Sequence, residues 1–258
     1  MLAEHQDMKT RNWETVKARS IEPFSRPTLT SLNRHITSNG KTCMSARATP
    51  RNAFTLVELL IIVVALSVLA ALLIPALRRA KNRAERITCT NHLMQIGTAF
   101  KIWGTDRKGL YPMSISTTNG GSLEYVGAAD VFRHFQVMSD ELGASTLALV
   151  CPADSRQSAQ NFGPGFSNAH ISYFLGIGAR EDRPDMLLAG DRNITNGMPL
   201  KNGILELTTN SNAGWTHELH KGQGNVLLSD ASVQAWDTPS LRKGIQNSGV
   251  GTNRLAMP

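Results

Sequence analysis

The chain has 258 residues and 41% hydrophobic residues, which allows one globular domain with appended segments and excludes a fully disordered protein. Its net charge of +7 would suit a nucleic-acid partner only if the basic residues were clustered on the folded part. Residues 1–53 alone carry nine Lys and Arg against four acids. Without five basic residues at 78–86, the remainder of 54–258 has 13 basic and 16 acidic residues. No nucleic-acid partner is therefore expected.

Residues 54–77 form an apolar segment that predicts a single membrane-spanning helix. As a helix these residues are about 36 Å long, enough for a hydrocarbon core of about 30 Å and longer than a secretory signal needs. Pro75 removes one helical hydrogen bond and predicts a kink. Glu58 is the one acid in the segment; it either makes a functional contact or reaches to the lipid headgroups.

The sequence pattern of residues 78–105 predicts that the same helix continues as an exposed, amphipathic segment. A basic stretch is followed by apolar residues at spacings of four and three, which form one stripe: Cys89, Leu93, Ile96, Phe100 and Trp103. The stripe should face a head formed by residues 106–258, and Gly104 and Gly109 mark the end of the helix.

The sequence of the head predicts short helices and strands that are separated by turns. A helix is predicted within 128–142, and extended segments are predicted at 110–113, 147–152, 186–190, 203–208, 224–229 and 232–236. The last two read as a β-hairpin turning at Asp230 and Ala231. The predicted fold is α+β, with a long N-terminal helix packed on a small head that has an antiparallel sheet.

Three cysteines are present: Cys43, Cys89 and Cys151. Cys43 precedes the apolar segment, and the two cysteines after that segment form an even pair, which in an exported protein is a candidate disulfide. A Cys89–Cys151 bridge would pin the helix to the head. The alternative is two buried free thiols.

The run from Ala53 to Leu60, AFTLVELL, together with the apolar segment that follows, resembles the processing site of type IV prepilins and type II secretion pseudopilins. The resemblance implies that residues 1–53 are a leader, that prepilin peptidase cuts between Ala53 and Phe54, and that Phe54 is then N-methylated. Glu58 stands at the family's assembly position, and Pro75 stands where proline is common. Ala53 replaces the usual Gly, and the long leader suggests Met44 as an alternative start.

That resemblance implies a structural subunit, not an enzyme, of a type II secretion pseudopilus. The leader would be cytoplasmic, the helix would cross the inner membrane once, and the head would be periplasmic before assembly into the filament. The implied partners are the peptidase, other pilin-like subunits and an inner-membrane assembly platform. A type IV pilus or DNA-uptake pilin is the alternative within the family. A signal-anchored binding protein or hydrolase is the alternative from another class.

His220 and Asp230 resemble the ends of the C-terminal H-x9-D-G motif of many pilin-like proteins, with Ala231 in place of Gly. The motif identifies no activity. Zinc binding by His217, His220 and Asp230 is not favoured, because no helix holds the histidines in place.

The major pseudopilins carry calcium in the C-terminal head, so that resemblance also raises the possibility of a calcium site. Four acids could supply oxygens to it: Glu181, Asp182, Asp185 and Asp191. They lack a fixed ligand spacing, so a solvated loop is favoured and neither a metal nor a cofactor is expected.

Overall fold

The computed structural model describes residues 54–128 and 130–258. The predicted leader, with Cys43, Met44 and Ala53, lies outside the described residues.

A single helix, α1 (Leu56–Thr105), accounts for 50 residues and is about 75 Å long. The Thr55 side chain caps its first turn by accepting a hydrogen bond from the Glu58 amide. The helix passes through Pro75 without a break, and the kink expected there stays a prediction. By length and composition, α1 is able to cross a membrane.

The two halves of α1 have opposite surroundings. Every residue from Phe54 to Arg83 is exposed, whereas the predicted stripe from Cys89 to Trp103 is buried against the head. The buried residues of the second half include the five of the predicted stripe, and the first of them is Cys89.

The head contains an antiparallel sheet of six strands in the order β4-β8-β1-β2-β6-β7. Two further short strands, β3 and β5, pair with each other. The strands are β1 (Tyr173–Gly176), β2 (Leu187–Asp191), β3 (Ile194–Thr195), β4 (Ile204–Thr208), β5 (Gly214–Trp215), β6 (Gly224–Leu228), β7 (Val233–Trp236) and β8 (Thr252–Ala256).

The six-stranded sheet has a hydrophobic core on each face, because successive side chains of a strand point to opposite sides. In β1, Tyr173 and Leu175 pack with the α1 stripe and a short helix, α2 (Val131–Gln136), while Phe174 points to the other face. That second face is covered by α3 (Thr238–Asn247). The α+β layout is confirmed: a long apolar N-terminal helix lies against a C-terminal antiparallel sheet.

Candidate functional site

Two features of the described residues are not explained by packing alone. The first is the exposed apolar half of α1, and the second is a buried cluster of four polar side chains beneath its other half. The cluster consists of Cys89, Cys151, Asp191 and His220.

Each member of the cluster comes from a different element. Cys89 is the first buried residue of α1, Cys151 follows a 3₁₀ turn at Leu147–Leu149, and Asp191 ends β2. His220 lies in the loop between β5 and β6. The sheet and the helix together therefore create this site, and no short segment of sequence contains it.

The four side chains converge on one small volume. Their ligand-type atoms all lie within 4.8 Å of one another. Cys89 Sγ is 3.0 Å from Asp191 Oδ1, Cys151 Sγ is 3.3 Å from His220 Nε2, and His220 Nε2 is 3.5 Å from Asp191 Oδ2. The side chain of His220 is 3% exposed and that of Asp191 is fully buried, so water is nearly excluded.

Donors from the neighbouring strands aim at the cluster. The Asn225 backbone amide donates to Asp191 Oδ2 at 2.7 Å, and its side-chain amide lies 3.1 Å from the same oxygen. Asn225 Nδ2 and Tyr173 Oη each donate to Cys89 Sγ at 3.4 Å. These contacts fix the orientation of the carboxylate and stabilise electron-rich sulfur.

The loop that carries His220 is held in an uncommon conformation. His220, Lys221 and Gly222 have φ values of 47°, 56° and 80°, three consecutive residues in the left-handed region. Non-glycine residues adopt that region at a cost of about 1–2 kcal/mol each. The side chain of Asn193 restrains the loop by donating to backbone carbonyls of Thr216, Leu219 and Gln223.

The pKa of each group in the cluster depends on the protonation state of its neighbours. Burial raises the pKa of Asp191 to about 6, although the charge of His220 opposes the rise. Burial raises the pKa of the Cys89 thiol, whereas hydrogen bonds with Cys89 and then His220 lower the pKa of Cys151. Burial lowers the pKa of His220, but the bond with Cys151 and the charge of Asp191 outweigh it and leave that pKa raised.

The expected disulfide is not formed: Cys89 and Cys151 are both free thiols. The two cysteines lie close together between helix and head, but each sulfur has a different polar partner. The Cys89 thiol donates to Asp191, and Cys151 contacts His220. The structure therefore corresponds to the alternative of two buried thiols.

The two residues of the motif, His220 and Asp230, lie in different environments. The acid beside His220 is Asp191, whereas Asp230 lies exposed at the β6–β7 turn and accepts a hydrogen bond from the Ser232 amide. His217 is exposed and lies outside the cluster. Asp230 thus shapes a hairpin turn.

The four acids considered for calcium do not form one group among the described residues. Glu181 pairs with Lys101 at 3.0 Å, and Asp182 pairs with Arg180 at 2.8 Å. Asp185 is exposed, and Asp191 belongs to the buried cluster.

A cavity of about 450 Å³ lies against the outer side of the cluster. His220 lines it together with Arg86 of α1, and the other lining residues are Asn82, Arg83, Glu85, Ala153, His217, Glu218 and Lys221. Because His220 lines this cavity, the buried cluster lies close to the protein surface.

Comparison of the chain with protein-family models, curated proteins and solved structures finds no match in any of the three.

Proposed function

We propose that this protein is a pilin-like subunit that polymerises through the first half of α1, in a pseudopilus of the type II secretion kind. The observation that carries the proposal is the exposure of that half. Sixteen large apolar side chains are between 41% and 78% exposed: Phe54, Leu56, Val57, Leu59, Leu60, Ile61, Ile62, Val63, Val64, Leu66, Val68, Leu69, Leu72, Leu73, Ile74 and Leu77. A surface of this size requires lipid or other helices to cover it.

The continuous helix between the apolar half of α1 and the head favours a filament subunit over a protein that is only anchored in a membrane. A protein that is only tethered to a membrane needs no fixed geometry between its anchor and its head. Here α1 continues without interruption from the apolar half to the buried stripe, so the orientation of the helix determines that of the head. Such a connection lets stacked helices present their heads in a regular array.

Glu58 supplies the proposed contact between subunits. It is exposed in the first turn of α1 and forms no ion pair with the described residues. Cleavage between Ala53 and Phe54 would create a free amine near it. A carboxylate and an amine on neighbouring subunits would neutralise each other in lipid, where either alone is costly.

The proposed course follows from this arrangement. Prepilin peptidase removes the cytoplasmic leader and methylates Phe54, while the helix holds the subunit in the inner membrane and the head lies in the periplasm. The assembly platform then extracts subunits, whose helices exchange lipid contacts for contacts with one another. The work of the protein is mechanical rather than catalytic.

The first experiment is mass spectrometry of the N-terminus of the protein from its native membrane. We expect a mature chain that begins with N-methylated Phe54. An intact leader, or a start elsewhere, contradicts the proposal.

The second experiment compares Glu58→Gln with Glu85→Gln in filament assembly. Glutamine retains the capping geometry available at this position after Thr55 but removes the charge. We expect Glu58→Gln to be processed and inserted but to form no filaments. Glu85→Gln should assemble, because Glu85 lies on the outer half of α1 and, among the described residues, pairs with Lys81 alone, at 3.7 Å. Normal filaments from Glu58→Gln would remove the role assigned to this carboxylate.

A further inference from the structure

We propose that Cys89, Cys151, Asp191 and His220 bind one Zn²⁺ ion, which ties α1 to the sheet of the head. This inference goes beyond the proposed function, because it concerns the buried end of the helix and does not depend on filament assembly.

The separations between the four side chains fit a tetrahedral ion. With zinc–sulfur bonds of about 2.3 Å and zinc–nitrogen or zinc–oxygen bonds of about 2.0 Å, ligand atoms at the corners of a tetrahedron are about 3.3–3.8 Å apart. Three of the six separations are 3.0, 3.3 and 3.5 Å, which differ from this range by a few tenths of an ångström at most. All six are within 4.8 Å, so side-chain shifts of about 1 Å or less would place the four atoms at bonding distance.

The direction of the His220 ring favours a metal over a catalytic relay. In a nucleophile–histidine–acid relay, the nucleophile contacts one ring nitrogen and the acid contacts the other. Here Cys151 Sγ and Asp191 Oδ2 both approach the same atom, His220 Nε2. Ligands that surround a shared centre have this arrangement.

The donor set selects the class of ion. Two sulfurs, one imidazole nitrogen and one carboxylate oxygen in a closed, four-coordinate site suit zinc, whereas calcium and magnesium require mainly oxygen. Two thiolates, one carboxylate and a neutral imidazole leave a net negative charge on a divalent site. Arg86 lines the cavity beside His220 and offsets part of that charge.

The surroundings of the ligands are also those of a metal site. Tyr173 and Asn225 donate to Cys89 Sγ, and Asn225 donates to Asp191, so three hydrogen bonds orient two ligands. The left-handed backbone at His220 and Lys221 is strained, and it holds the imidazole toward the three other ligands.

The test measures the zinc content of the full chain, purified in detergent under reducing conditions without chelator and supplied with ZnCl₂ alone. We expect about one zinc ion per chain. Replacement by Co²⁺ should produce the visible absorption of a tetrahedral cobalt site and thiolate-to-cobalt charge transfer. His220→Ala and Cys151→Ser should weaken zinc binding by more than about 100-fold, beyond the loss typical of residues that only orient a ligand.

Two matched variants separate the cluster from its neighbours. His217→Ala and Asp230→Asn remove a histidine and an acid that lie outside the cluster, and both should retain zinc. If a ligand variant fails to fold, chelation of the wild-type protein provides the test: removal of zinc by EDTA should lower its thermal unfolding temperature reversibly.

Three results would overturn the proposal. One is a Cys89–Cys151 disulfide in the native protein, found by peptide mapping without reduction. The second is a reduced chain that binds no zinc while Cys151 reacts rapidly with an alkylating reagent, as expected for an activated thiol. The third is a Co²⁺ spectrum that His220→Ala and Cys151→Ser leave unchanged.

Discussion

Ala231 occupies the position in the β6–β7 turn where the backbone requires a positive φ. Its φ is 71°, and its amide donates to the carbonyl of Leu228, so the loop is a tight three-residue turn. Alanine in this conformation costs about 1–2 kcal/mol, whereas glycine adopts it freely.

We therefore expect Ala231→Gly to stabilise the head by about 1 kcal/mol, after allowance for the greater flexibility of glycine in the unfolded chain. Urea denaturation followed by tryptophan fluorescence measures the change. Ala235→Gly is the control: that alanine is exposed in β7, where glycine should destabilise by about 0.5–1 kcal/mol. A loss of stability in both variants would contradict the assigned strain.

His134 in α2 makes the stability of the head depend on pH. The residue is fully buried, with Nδ1 2.8 Å from Ser122 Oγ, and burial lowers its pKa to about 4. Between pH 6.5 and about 4 the unfolded chain binds a proton that the folded chain does not. Stability is therefore expected to fall as the pH falls through this window, by about 3 kcal/mol in total.

The variant His134→Asn should abolish this part of the pH dependence, since an amide can keep the contact with Ser122 but does not titrate. The measurement is the free energy of unfolding at several pH values between 7 and 4. The exposed His217 is the matched control, and His217→Asn should keep the slope of the wild-type protein. Equal slopes in all three proteins would show that His134 is not the responsible group.

At the scale of elements, the contact between α1 and the β6–β7 hairpin depends on Gly97. Glycine within a helix costs about 1 kcal/mol relative to alanine, so a close approach should explain its presence. A Cβ atom at this position would lie 2.8 Å from Leu227 Cδ1 and 3.2 Å from Ala231 Cβ. The absent side chain allows the helix to lie directly on the hairpin.

Gly97→Val should therefore push the helix away from the hairpin and destabilise the head by about 1–3 kcal/mol. Thermal unfolding of the full chain in detergent measures the effect. Thr98→Val places the same side chain one residue further on, at an exposed position, and should change little. Similar losses in the two variants would indicate an effect of valine on the helix rather than of packing.

The elements predicted correctly are those with a strong local pattern. The stripe from Cys89 to Trp103 repeats with the helical period, and β2, β4, β6 and β7 combine apolar runs with nearby turn residues. The hairpin of β6 and β7 was predicted with its turn at Asp230 and Ala231. In these segments, local preference and tertiary packing favour the same conformation.

Other elements were missed or wrong because tertiary contacts decide them. The predicted strand at 147–152 is instead a 3₁₀ turn at Leu147–Leu149, held by the Ser172 amide, which donates to the Leu149 carbonyl. The extended segment predicted at 110–113 ends in another such turn, at Pro112–Ser114. The buried four-residue strand β1 shows no alternation that would distinguish it, and α3 and β8 were not predicted.

At the scale of the whole molecule, the buried cluster could not be predicted from spacing. Its members are spread from Cys89 to His220, and no two of them are close in sequence. The sequence motif draws attention to His220 but associates it with Asp230, and the cysteine count suggests only a pair of cysteines. The missing information was the sheet order, which brings the end of β2 beside β6 and under α1.

The position of Cys89 has a mechanical consequence. In the proposed filament, tension would travel along each helix and pass into the head where the helix first becomes buried against it. The first buried residue is Cys89, and it follows the partly buried Arg86, which donates to Gln223 of the head. Under tension the interface between α1 and the head separates one contact at a time, starting at this end, unless the first contacts are strong. The cluster lies at this end of the interface and connects the helix to three separate parts of the head. It would therefore distribute the force over all the contacts of the buried stripe, which would have to break together.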